Sequence, residues 1–173
     1  GWEKGQSGGV LQLPDPTASD LNWIHHRYQQ NGLNQSNAYG IGQSADGRIW
    51  IGGGNLFYYD GRQWARPEEE LLHQFVNIVF STDEGLLVVG SRNYGIFLYD
   101  GREWRHHDTD TGLTNNTIIS LYATSAENIW AATESDISRF DGRTWTNYVF
   151  PPAMTMEHEG GSLQLSSNGA IWI

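Results

Sequence analysis

An all-β chain of repeated four-stranded antiparallel sheets is the fold class this sequence predicts, and three observations carry the prediction. Tyr59-Asp60-Gly61-Arg62-Gln63-Trp64, Tyr99-Asp100-Gly101-Arg102-Glu103-Trp104 and Phe140-Asp141-Gly142-Arg143-Thr144-Trp145 are one hexapeptide written three times, about 40 residues apart. Eight Trp, eight Tyr and 21 Gly stand beside two Met and five Pro, which suits short strands and tight turns rather than helices. Short apolar runs alternate with Asp-Gly and Asn-Gly turns in a constant order. A period of about 40 to 45 residues with these features marks the blades of a β-propeller.

Each element follows from the same unit. Gly9 to Leu13 matches a third strand and Trp23 to Tyr28 a fourth, with Trp23 one period upstream of Trp64. First strands are expected at Ala38 to Gln43, Val76 to Ser81, Ile118 to Thr124 and Ser162 to Ser166. Turns at Asp46-Gly47, Asp83-Glu84-Gly85, Glu127-Asn128 and Asn168-Gly169 follow, since a positive φ is cheap for Gly and Asn. Second strands are the apolar runs Ile49-Trp50-Ile51, Leu86-Leu87-Val88-Val89, Ile129-Trp130-Ala131 and Ile171-Trp172-Ile173. Third strands are Leu56 to Tyr59, Ile96 to Tyr99 and Ile137 to Phe140. The fourth strands, Trp64 to Arg66, Trp104 to His107 and Trp145 to Tyr148, are polar, as an outer edge should be.

Residues 1–173 thus read as one propeller segment: a half-blade at 9–28, blades at about 31–68, 70–108 and 112–149, and a half-blade at about 160–173. The two halves are complementary. They could close on each other as a four-bladed ring, pair with a second chain as an eight-bladed ring, or abut missing blades of a larger propeller. We expect the last. The chain begins with Gly1 rather than Met and no targeting pattern follows, so it reads as a processed or excised piece.

A net charge of −10 argues against nucleic acid, whose phosphates would be repelled. The absence of Cys excludes disulfides and thiolate metal sites, and no apolar run is long enough to insert in a membrane as a helix. No cofactor is expected.

Equal spacing makes Trp23, Trp50, Trp64, Trp104, Trp130, Trp145 and Trp172 structural, with Trp50, Trp130 and Trp172 packing blade on blade. Asp60, Gly61, Asp100, Gly101, Asp141 and Gly142 read as turn chemistry, with Arg62, Arg102 and Arg143 pairing to acids on neighbouring turns. His25-His26 and His106-His107 read as solvent-facing pairs that cannot chelate one ion, because adjacent strand residues face opposite ways. Met154, Met156 and His158 alternate in a way copper would accept, but read as an incidental loop, and no metal site is expected. Ligand recognition belongs where blades differ. The links between second and third strands contribute Asn55, Arg92, Asn93, Tyr94 and Glu134, and the connection between blades contributes His73. Such a ring of Asn, Arg, Tyr, His and carboxylate suits a small polar ligand or glycan fragment.

Asn31-Gly32-Leu33 through Asp46-Gly47-Arg48-Ile49-Trp50-Ile51-Gly52 to Tyr59-Asp60-Gly61 resembles the two-component regulator propeller repeat. So do Thr111-Gly112-Leu113 through Asn128-Ile129-Trp130-Ala131 to Phe140-Asp141-Gly142, and Asn168-Gly169-Ala170-Ile171-Trp172-Ile173. The blade from Glu70 to Trp104 departs, with Glu70-Leu71-Leu72-His73 in place of Gly-Leu and Leu87 in place of the strand tryptophan. The resemblance implies a seven-bladed ring in the extracytoplasmic (periplasmic) sensor region of a bacterial histidine kinase or hybrid regulator, where glycan fragments are among the ligands. It implies a non-catalytic segment that binds a ligand. A protein-interaction scaffold is the alternative. An enzyme similar to the streptogramin lyases is a third class, which His73 and Glu134 would have to serve.

Overall fold

The computed structural model describes residues 9–17, 23–35, 37–73, 76–152, 154 and 163–173. Met156 and His158, and the start of the last half-blade at 160–162, lie outside the described residues.

Strands alternate with tight turns throughout. β1 (Gly9–Gln12) pairs with β2 (Ile24–Arg27). β3 (Gly40–Gln43), β4 (Ile49–Gly52), β5 (Leu56–Tyr59) and β6 (Trp64–Ala65) form the first full antiparallel blade. The second holds β7 (Val76–Ser81), β8 (Leu87–Ser91), β9 (Ile96–Tyr99) and β10 (Trp104–His107). The third holds β11 (Ser120–Ser125), β12 (Asn128–Ala132), β13 (Asp136–Phe140) and β14 (Trp145–Val149). β15 (Gln164–Leu165) pairs with β16 (Ile171–Trp172), and this pair and β1–β2 are separate two-stranded sheets. Each full blade is a meander whose neighbouring strands are neighbours in sequence. Short 3₁₀ turns at Glu70–His73 and Thr109–Thr111 precede the second and third blades, and no described helix is long and apolar enough to cross a membrane.

Strand periodicity explains why the central strands are apolar on both faces. On β8 and β9, Val88, Ile96 and Leu98 pack toward the third blade, with Leu121 and Ile129. Their neighbours Leu87, Val89, Phe97 and Tyr99 pack toward the first blade, with Trp50 and Leu56. Successive side chains point to opposite faces, so each strand serves two interfaces at once. Ile51 and Phe57 face Val10 of the first half-blade, and Trp130 and Ala132 face Leu163 and Ile171 of the last.

The first interface is closed by backbone against backbone. A Cβ on Gly40 would stand 2.6 Å from the Val79 carbonyl oxygen, and one on Gly42 would stand 2.8 Å from the Phe80 carbonyl carbon. Across the same seam the Gln43 backbone N–H donates to Ser81 Oγ at 3.1 Å. Tyr99 donates its hydroxyl to Asp46 Oδ2 at 3.0 Å, and Arg48 reaches the same hydroxyl at 3.4 Å. Burial, then the Asp46 carboxylate, raises the Tyr99 pKa. Burial works against the Asp46 charge, but hydrogen bonds from Ser44, the Arg48 backbone and Tyr99 outweigh it and hold that carboxyl low. Tyr99→Phe is expected to cost about 1 kcal/mol in urea unfolding, the net value of one such bond; no change in midpoint would deny it a role.

The hexapeptide is a carboxylate-locked turn. Asp60 Oδ1 accepts the backbone N–H groups of Arg62 and Gln63 at 2.8 and 2.9 Å, and Asp100 and Asp141 repeat the pattern. The expected pairing of Arg62, Arg102 and Arg143 with neighbouring acids is not formed among the described residues; Arg105 takes Asp100 instead, at 3.2 Å. The arginine position supplies a backbone donor to its own aspartate, and its side chain points to water.

Register corrects the reading of the second blade. Ser44 and Thr82 open equivalent turns, and Gly47 and Gly85 hold the positive φ, 85° and 79°. Counting from those glycines, Val88 and not Leu87 stands where Trp50 stands. Trp172 also departs from expectation: it is 67 % exposed, and Trp23 is 57 % exposed, whereas Trp50 and Trp130 are buried. A tryptophan at this position packs only where an adjacent sheet covers its face.

Candidate functional site: the connection face

All the links between second and third strands emerge at the end of the blades from which the chain crosses to the next blade, because strands reverse direction at every turn. Hydrogen bonds tie the two kinds of loop together. The Asn55 N–H donates to Gln35 Oε1 at 3.3 Å, Gly95 N–H to the Asn116 carbonyl at 2.9 Å, and the Thr114 hydroxyl to Asp136. Gly54 and Val76 exchange backbone hydrogen bonds, seating the β4–β5 link on the start of β7.

The candidate residues share this face without converging. Arg92 and Asn93 are exposed, with the N–H groups of Asn93 and Tyr94 held by Ser91 Oγ at 3.2 and 3.3 Å. Tyr94, expected as a ligand-stacking ring, is half-buried and packs on the core between the first and second blades. Asn55 is half-buried in its own link, and Glu134 is exposed in the equivalent link of the third blade. His73 ends the 3₁₀ turn with Nε2 at 2.8 Å from the Pro67 carbonyl, so that nitrogen donates to backbone. His73 and Glu134 sit in loops of different blades.

Polar groups that no motif announced lie at the same end. Asp136 is buried and accepts the hydroxyls of Thr114 and Thr133. Gln35 Nε2 and Asn77 Oδ1 are buried without hydrogen-bond partners among the described residues; Gln35 holds Asn55, and Asn77 follows Val76, so both flank the Gly54–Val76 bridge. The only sequence signal for them was a polar residue inside a blade connection or first strand. No cluster of three or more metal-ligating side chains occurs among the described residues.

The paired histidines correct the sequence reading. His26 is buried, not solvent-facing: Nδ1 accepts the Trp64 indole N–H at 3.2 Å and Nε2 donates to Gln12 Oε1 at 2.9 Å. His107 Nδ1 likewise accepts from Trp145, at 3.4 Å. Alternation turns His26 and His107 toward Trp64 and Trp145, while on the opposite face His106 stacks on Phe97 with centroids 4.2 Å apart and His25 is half-buried. Burial, then the neighbouring His25 or His106, lowers both pKa values from 6.5. With the folded pKa below the unfolded one, the unfolded state takes up protons first as pH falls. Stability is therefore full above about pH 6.5 and is lost on acidification below it. A second loss follows below about pH 4. There the backbone donors that depress Asp60, Asp100 and Asp141 are forfeited on protonation. The melting temperature is expected to fall between pH 7.5 and 5, with a smaller fall in the double variant His26→Asn, His107→Asn; identical slopes would contradict it.

Three solved structures share this architecture. An extracellular domain of a proposed hybrid two-component system from B. thetaiotaomicron superposes with a TM-score of 0.70 at 22 % identity, over 95 % of this chain and 24 % of that one. Two structures of the extracellular domain of a second system from that organism, described once as one-component and once as hybrid two-component, give TM-scores of 0.68 and 0.69. Both are 19 % identical and cover 97 % of this chain and 26 % of theirs. The fold is that of a β-propeller. The chain spans about a quarter of the length of the structures it matches. No family model and no curated protein matches it.

Proposed function

We propose that the chain is a non-catalytic, ligand-sensing propeller segment of a bacterial two-component signalling protein, lying outside the cytoplasmic membrane. One observation carries the reading: nearly the whole chain superposes on extracellular domains of such systems. The repeat motifs that resemble the two-component regulator propeller point the same way. In this reading the β1–β2 and β15–β16 pairs adjoin further blades of a seven-bladed ring. Those blades cover Leu11 and Ile41 at one end and Trp172 and Ile173 at the other, all of which are exposed here.

The ligand, a small polar molecule or glycan fragment, binds on the connection face through Asn55, His73, Arg92, Asn93, Tyr94 and Glu134. Binding there shifts an arrangement of the ring that other parts of the protein read. A thermal-shift screen across a glycan panel tests the site. A rise in melting temperature that Arg92→Ala and Asn93→Ala each abolish is the expected result. No rise with any ligand, together with a stable protein complex in a pull-down, would replace this reading with an interaction scaffold.

A further inference from the structure

The outer seams between blades are not alike. At two of them the hexapeptide tryptophan donates its indole N–H to a histidine of the preceding sheet, Trp64 to His26 and Trp145 to His107. Each of those histidines lies three residues after the tryptophan position of its own blade. Counting three on from Trp64 gives Pro67, which is buried and has no side-chain acceptor to offer Trp104. A cleft of about 270 Å³ opens in its place, walled by Trp104, Tyr58, Tyr99 and Pro67.

Its polar groups are of both signs. Arg48 lies over the Tyr58 ring at 4.6 Å and is paired with Asp46. Arg102, Glu68 and Glu69 also line the cleft, and their side chains have no ion pair or hydrogen bond among the described residues. Arg66 is at the rim, its guanidinium over the Phe57 ring at 5.2 Å, so an aromatic wall, two guanidiniums and two carboxylates without ion pairs and one free indole N–H make a set of donors and acceptors with little net charge. The cleft is slightly below the usual range for drug-sized ligands, about 300 to 1,000 Å³, so it holds one ring rather than a chain.

We infer that this seam, walled in part by the crossing segment that carries Pro67, Glu68 and Glu69, is a binding site for a single neutral saccharide ring, separate from the Arg92 and Asn93 link. The ring's C–H face lies on Trp104 or Tyr58, Arg102 donates to its hydroxyls, and Glu68 and Glu69 accept from them. A ligand carboxylate would meet those two glutamates in a chain of net charge −10, so a uronate binds more weakly than its neutral counterpart. An aryl group would leave the charged groups unmatched.

Tryptophan fluorescence and saturation-transfer NMR with a panel of neutral hexoses and pentoses, and with glucuronic acid, test the site. The expected result is saturable quenching by at least one neutral sugar at millimolar concentration. Arg102→Ala and Glu68→Gln, both at exposed residues, each weaken it by about tenfold, the loss of one charge-assisted hydrogen bond. Pro67→His, which restores the histidine found at the other seams, removes binding, whereas Arg143→Ala, at the exposed equivalent arginine of the third blade, leaves it unchanged. Three results would overturn the inference: no saturable response to any neutral sugar, a response indifferent to both Arg102→Ala and Pro67→His, or tighter binding of glucuronic acid than of glucose.

Discussion

Trp50→Ala is expected to cost about 3 to 5 kcal/mol, the range for removing a large aromatic from a packed core. Trp50 is 1 % exposed, and its indole N–H donates to Ser44 Oγ at 2.7 Å. Its ring meets Tyr58, Tyr99 and Trp104 with centroids 5.0 to 5.4 Å away. Removing it opens a cavity between two blades and takes a donor from Ser44, which also donates to Asp46 in the same turn. The loss should appear in urea unfolding as a lower midpoint at unchanged slope. Trp172→Ala, at the equivalent but exposed position, should change stability by less than about 0.5 kcal/mol. Equal costs at the two positions would show that burial is not what makes the repeated tryptophan matter.

Gly40→Ala should be damaging out of proportion to its single added methyl group. The added carbon would sit 2.6 Å from the Val79 carbonyl oxygen and 2.7 Å from its nitrogen, and neither backbone atom can swing aside. Relief requires β3 and β7 to part, which loosens the core shared by Trp50, Val79 and Val89. Overpacking usually costs about 1 to 3 kcal/mol, and a clash with backbone in a two-blade seam belongs at or above the top of that range. Gly47→Ala is the control: nothing lies within 4 Å of its added carbon, so only the strain of φ +85° remains, about 1 kcal/mol. Thermal unfolding of the two variants separates close packing from backbone freedom, and a smaller loss at Gly40 than at Gly47 would refute the packing argument.

Much of the fold was legible because its signals are local. Val76–Ser81, Leu56–Tyr59, Ile96–Tyr99 and Trp104–His107 are strands with the bounds that the repeat suggested. The Asp60, Asp100 and Asp141 turns form as read, since an aspartate side chain needs only donors two and three residues ahead. Leu87 and Val88 are easily exchanged because four apolar residues in a row carry no phase; Gly85, the turn glycine at φ 79°, sets it.

Less of the site could be read. Arg92, Asn93 and Glu134 were recognisable as residues where blades differ, but nothing in the sequence shows that Tyr94 turns into a seam or that His73 donates to Pro67. Gln35, Asn77 and Thr114 carry no motif, and their roles exist only through partners in other loops or the lack of them.

The sequence by itself determined the all-β class, the repeat, the turns and which strands are buried on both faces, because dihedral preference, alternation and side-chain-to-backbone turns act within a few residues. Only the tertiary structure decided which tryptophans are covered, which histidine of each pair meets the next blade's tryptophan, and where Pro67 opens a cleft. Those properties belong to the seam between sheets, where each side chain's surroundings come from residues a full repeat away.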